Sequence, residues 1–160
     1  MVETLFTIGV YGKTEPQFFS QLENSRVDTF CDIRQRRGVR GSQYAFVNSK
    51  RLQVALAARG IAYRYVPELA PTKQIRESQH AADREWGVLK RTRLELGDLF
   101  KQRYSEEILR PFDVQTFRQS LEPASHRVAL FCVEATAAAC HRSLVADRLR
   151  AEWNVPVEHL

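Results

Sequence analysis

No run of the 160-residue chain approaches the roughly 20 consecutive apolar residues that a membrane-spanning helix requires. Met1-Val2-Glu3-Thr4 also lacks the basic flank and apolar stretch of a secretion signal, so the expected location is the cytoplasm, with no membrane partner. Cysteine is scarce: Cys31, Cys132 and Cys140 form an odd set. In a reducing compartment that disfavours a disulfide framework and leaves free thiols or metal ligands. A chain of this length buries roughly 70% of its unfolded surface, so it needs neither disulfide nor metal to fold. Gly9-Val10-Tyr11-Gly12-Lys13 has neither the G-x-G-x-x-G nor the Walker spacing of phosphate-binding loops. Cys-x-x-Cys is missing, as is the His-x-Glu with Pro-Cys-x-x-Cys of zinc deaminases. A tyrosine-phosphatase-like or rhodanese-like loop needs a basic residue about six positions after a strand-end cysteine, and that position is Ala138.

What is present describes one domain, residues 1–160, with 44% hydrophobic content and a net charge of +5. Lysine contributes only five of the 24 basic residues. Between Arg26 and Arg51 seven basic side chains face two acidic ones, a surplus equal to the whole net charge. Arginine presents a planar donor fork suited to phosphate or carboxylate, so Arg34, Arg36 and Arg37 are candidate ligands for an anionic partner, a nucleotide or a nucleic acid. A merely solvated loop is the competing reading.

Thr4–Val10, Val27–Ile33, Ile61–Val66, Val128–Val133 and Pro156–Leu160 read as strands. Glu15–Glu23, a segment from Asn48 or Ser49 to Gly60, and about Cys140–Trp153 read as helices, with Phe18, Phe19 and Trp153 in the core. A charged helical insertion, about 72–121 and broken near Gly87, Gly97 and Arg110-Pro111, is expected outside the sheet's centre or as a cap. This order predicts an α/β, three-layer domain with a mainly parallel five-stranded Rossmann-like sheet, order 3-2-1-4-5. The apolar run of strand four suits a central strand covered on both faces.

Ligands of such sheets bind beyond the carboxyl ends of the strands. The polar residues expected there are Tyr11, Asp32, Arg34, Glu68, Cys132 and Glu134, followed by Cys140, His141 and Arg142 at a helix start. A thiol near a helix N-terminus beside His141 and Arg142 is biased towards thiolate. Cys132, Glu134, Cys140 and His141, with Asp32 as base or orienter, are therefore the candidate catalytic set. Tyr11, Arg34, Arg36, Arg37, Arg142 and Glu68 are the candidate substrate contacts. Cys132, Cys140 and His141, with His159 or Cys31, form a candidate site for a zinc-like metal, although no cofactor is required. Tyr63 and Tyr65 favour packing over base stacking, and His80 and His126 receive no role.

Thr7-Ile8-Gly9-x-Tyr11, Asp32-Ile33-Arg34, Gly60-Ile61-x-Tyr63 with Pro67-Glu68-Leu69, Cys132-Val133-Glu134 with Cys140-His141-Arg142, and the terminal Val157-x-His159-Leu160 resemble the DUF488 family over nearly the whole chain. The resemblance implies a compact α/β fold and a shared strand-end site but no activity. Two departures stand out: Val10 separates Gly9 from Tyr11, and the loop after Asp32-Ile33-Arg34 carries Arg and Gly where the family often has Pro and Ser. The preferred function is an enzyme acting on a nucleotide or nucleic acid. The alternatives are a thiol-redox or metal-binding protein acting on a small molecule, and a non-catalytic interaction module.

Overall fold

In the computed structural model, which describes residues 1–160, five short strands lie parallel in one sheet: β1 (Thr4–Ile8), β2 (Thr29–Asp32), β3 (Ala62–Tyr65), β4 (Arg127–Phe131) and β5 (Val157–His159). Six α-helices accompany them: α1 (Glu15–Asn24), α2 (Ser49–Ala57), α3 (Lys73–Trp86), α4 (Asp98–Tyr104), α5 (Val114–Leu121) and α6 (His141–Trp153). No helix is long and apolar enough to cross a membrane.

Local chemistry sets the helix ends. Thr14 and Gln17 form a reciprocal capping box at α1, and Pro16 sits in its first turn. Thr72 caps α3, which stops at Gly87 in a left-handed conformation (φ 67°) that glycine adopts without steric cost. Gly97 opens α4, which runs into a π-helical turn at Ser105–Leu109 and ends before Pro111.

The strand order is β3-β2-β4-β1-β5. The expected order 3-2-1-4-5 is thus corrected at one exchange: β4, not β1, lies at the centre, between β2 and β1. The physical reason is in the strand itself. Val128, Ala129, Leu130 and Phe131 are all fully buried, with alternate residues serving opposite faces. β1 interrupts its apolar run with Thr4 and Thr7, and Thr7 Oγ1 bonds His159 Nδ1 (2.7 Å) on the edge strand.

Two buried clusters mark the two helical layers. On one face Phe18, Phe19 and Leu22 of α1 and Leu52 and Leu56 of α2 pack against Phe6, Phe30, Ala129 and Phe131. On the other, α3 to α6 pack Ile75, Phe100, Tyr104, Phe117, Val145 and Trp153 against Leu5, Cys31, Val128 and Leu130. The charged insertion is therefore half of a core layer rather than an outlying cap, because a few apolar positions at helical spacing face the sheet. Segments leaving β1 and β2 cross to one face and those leaving β4 to the other, which opens a crevice over the carboxyl end of β4.

Candidate functional site

The crevice has a volume of about 480 Å³ and lies between the β1, β2 and β4 ends, the loop after β2, and the α3–α4 arm. Cys132 and Glu134 are at its floor, one and three residues past β4, with His141 from the first turn of α6. Cys140 lies just beneath: Cys132 Sγ, Cys140 Sγ and a ring nitrogen of His141 are all within 4.8 Å of one another. The three cysteines are free, but Cys31 is sealed in the opposite core layer, where burial pushes its thiol up to about 12. His159 is engaged with Thr7. Neither supplies a fourth ligand to the cluster.

His141 Nε2 lies 3.0 Å from the Ile33 carbonyl, which can only accept, so Nε2 carries the hydrogen and Nδ1 faces Cys140 Sγ at 3.7 Å. Burial opposes charge on Cys140, but the adjacent Cys132 thiol and the positive charges of His141 and Arg142 outweigh it and hold Cys140 well below the usual thiol range. The same contact with Cys140, together with burial, pushes Cys132 well above that range. His141 is raised because the charge of Cys140 overcomes its burial. Cys140 is thus the more acidic of the two thiols, and its charge and that of His141 favour one another.

Glu134 is held from two sides. Arg142, buried at 1% exposure, donates from Nη1 to the Glu134 carbonyl (2.6 Å) and from Nη2 to that of Ala135. Gly9 permits this approach, since a Cβ there would overlap the Glu134 carbonyl oxygen. Arg93 donates to Glu134 Oε1 (2.9 Å), to Asp83 Oδ2 (3.0 Å) and to the Ala139 carbonyl. Lys90 Nζ is 3.7 Å from the same Oε1. Oε2 is buried without a partner. Burial and the charge of Cys140 raise the Glu134 carboxyl against the pull of Lys90 and Arg93.

The candidate residues separate by role. Tyr11, Arg34, Arg36, Cys132, Glu134 and His141 line the crevice. Asp32 does not: it is fully buried and accepts bonds from Arg34 N, Nε and Nη2 and from Tyr63 Oη. A carboxylate with four donors fixed on it has no capacity to take a proton from substrate, so Asp32 positions Arg34. Arg142 positions the Glu134 backbone. Arg37 turns away to stack on Tyr65 (4.0 Å), and Glu68 opens onto a separate groove with Arg64 and Phe112. Both are outside the crevice: the Tyr65 ring draws Arg37 aside, and the turn after β3 carries Glu68 into the groove.

Composition missed four of the seven side chains of the cationic wall. Arg76, Lys90, Arg91 and Arg93 reach the crevice from α3 and the α3–α4 arm, and His80 joins them. Seven Arg and Lys side chains line the site against one carboxylate, Glu134. Arg36, Arg40, Arg76 and Arg91 make no ion pair, and the buried Arg34 Nη1 and Arg76 Nε have no hydrogen-bond partner. Arg91 packs over Tyr11 and Tyr44, 5.2 and 5.4 Å from the ring centres.

A family model described as a domain of unknown function, DUF488, matches residues 15–149. Searches of curated proteins and of solved structures gave no match.

Proposed function

The chain belongs to the DUF488 family, whose description assigns no activity, and from the site itself we propose that it is an enzyme acting on a phosphate-bearing substrate, a nucleotide or a nucleotide within a nucleic acid. One observation carries this reading: four arginines without ion pairs surround a crevice whose floor holds Cys132, Glu134 and His141. Unpaired guanidinium groups above buried reactive side chains suit a ligand that is anionic at one end and reacts at the other. The volume of about 480 Å³ accommodates one nucleotide rather than a duplex. Glu134 Oε2, with no bond of its own, is the group free to accept a proton.

Incubation with nucleotides and single-stranded oligonucleotides, followed by mass spectrometry of the products, tests the proposal. Turnover by the wild type should fall roughly 10²–10⁴-fold in Glu134→Gln, the scale of a lost general acid or base. Arg36→Ala with Arg40→Ala should instead raise KM. Absence of any conversion across both substrate classes would refute the reading. The closeness of Cys132 and Cys140 favours a second reading, dithiol redox chemistry on a small molecule; there the arginines would be dispensable.

A further inference from the structure

We propose that Cys132 Sγ, Cys140 Sγ and His141 Nδ1 bind one zinc-class divalent ion, with its fourth position open to the crevice. The inference goes beyond the anion-binding reading and stands without it.

Four observations converge. First, the Sγ to Nδ1 distance of 3.7 Å is near what two ligands of one tetrahedral ion require, given Zn–S of about 2.3 Å and Zn–N of about 2.0–2.1 Å, and all three atoms fall within 4.8 Å. Second, His141 is already oriented as a ligand. Its Nε2–H is fixed on the Ile33 carbonyl, the outer contact that metal-bound histidines commonly make, and this leaves the Nδ1 lone pair facing the sulfurs. Third, Cys140 occupies the N-cap of α6 in extended conformation and makes no side-chain cap bond. Ser, Thr, Asp or Asn there would typically contribute about 1 kcal/mol, so the thiol stands where a better cap was available. Fourth, Glu134 Oε2 is buried, lines the same crevice and lacks a partner. A water in the fourth position of the ion would supply its missing donor.

The donor set selects the ion. Two thiolates and an imidazole suit zinc over calcium or magnesium, which prefer oxygen ligands. Three protein ligands with an open position describe a catalytic centre rather than a closed structural one. Cys132 lines the crevice while Cys140 lies beneath it, so the open position faces the arginine wall.

The test uses the full chain, purified without chelator and kept reduced, with zinc and cobalt alone as probes. Plasma mass spectrometry should find one zinc-class ion per chain, and cobalt exchange should give a thiolate charge-transfer band with the visible bands of a tetrahedral ion. Cys132→Ser, Cys140→Ser and His141→Ala should each weaken zinc binding by more than the roughly 10–100-fold typical of outer-sphere changes. Cys31→Ala should leave it intact. Circular dichroism establishes that each variant folds, and Cys140→Ser places a capping hydroxyl at the start of α6. A reduced, folded protein that takes up no stoichiometric zinc at micromolar concentration would overturn the proposal. So would binding that survives all three ligand substitutions. Arg36→Ala with Arg40→Ala should keep the metal while losing nucleotide, which separates this proposal's failure from that of the anion reading.

Discussion

Asp32 shows how a side chain of catalytic type can be committed to architecture. Its carboxylate is enclosed by three donors from Arg34 and one from Tyr63, and Arg34 in turn lies over the Phe131 ring and bonds the Val47 carbonyl. Removing one partner of a buried pair leaves the other charge uncompensated, which costs about 3–5 kcal/mol. Asp32→Ala should therefore lower unfolding free energy by that amount in urea denaturation. A purely catalytic carboxylate would leave the midpoint nearly unchanged. That Cys132, Glu134, Cys140 and His141 lie together was legible at this scale because they sit close in sequence, at the end of one strand and the start of the next helix. Any α/β topology brings Cys132 and Glu134 near Cys140 and His141. Glu68 misled because its strand-end position is real, but the turn after β3 points it into the neighbouring groove.

At the scale of elements, the α3–α4 arm is the feature that sequence patterning obscured. Its charges read as a solvated helical stretch, yet Arg93 is only 9% exposed and links Asp83, Glu134 and the Ala139 carbonyl. Gln79 extends the link, donating to Asp83 and accepting from the Gly97 amide, while Leu96 N bonds the Ala138 carbonyl. Partners drawn from three distant segments leave no local motif, so burial of Arg93 follows only from the fold. Arg93→Ala should unlatch the arm: hydrogen exchange at the Leu96 and Gly97 amides should accelerate at least about tenfold, equivalent to 1.4 kcal/mol. Amides of β1 and β4 should keep their protection. Unchanged exchange in the arm would mean that Arg93 does not hold it. Strand order was legible only in part for a related reason: the apolar run of β4 announced a central strand, but which strand borders it depends on packing that periodicity does not encode.

Over the whole molecule, the net charge of +5 understates the local field. The loop after β2 supplies Arg36 and Arg40, and the opposite wall adds Arg76, Lys90, Arg91 and Arg93, so two basic segments far apart in sequence close on one crevice. Low-dielectric walls concentrate such a field, and a phosphate entering it meets Arg36, Arg40, Arg76 and Arg91, which make no ion pair. Whether the crevice selects its ligand by phosphate charge is decided by calorimetric titration with a nucleoside monophosphate and with the matching nucleoside. The nucleotide should bind at least about tenfold more tightly, as expected of hydrogen bonds to a charged group. This advantage should shrink as salt rises and disappear in Arg36→Ala with Arg40→Ala. Equal affinity for nucleotide and nucleoside at low salt, or no binding of either, would contradict selection by phosphate charge.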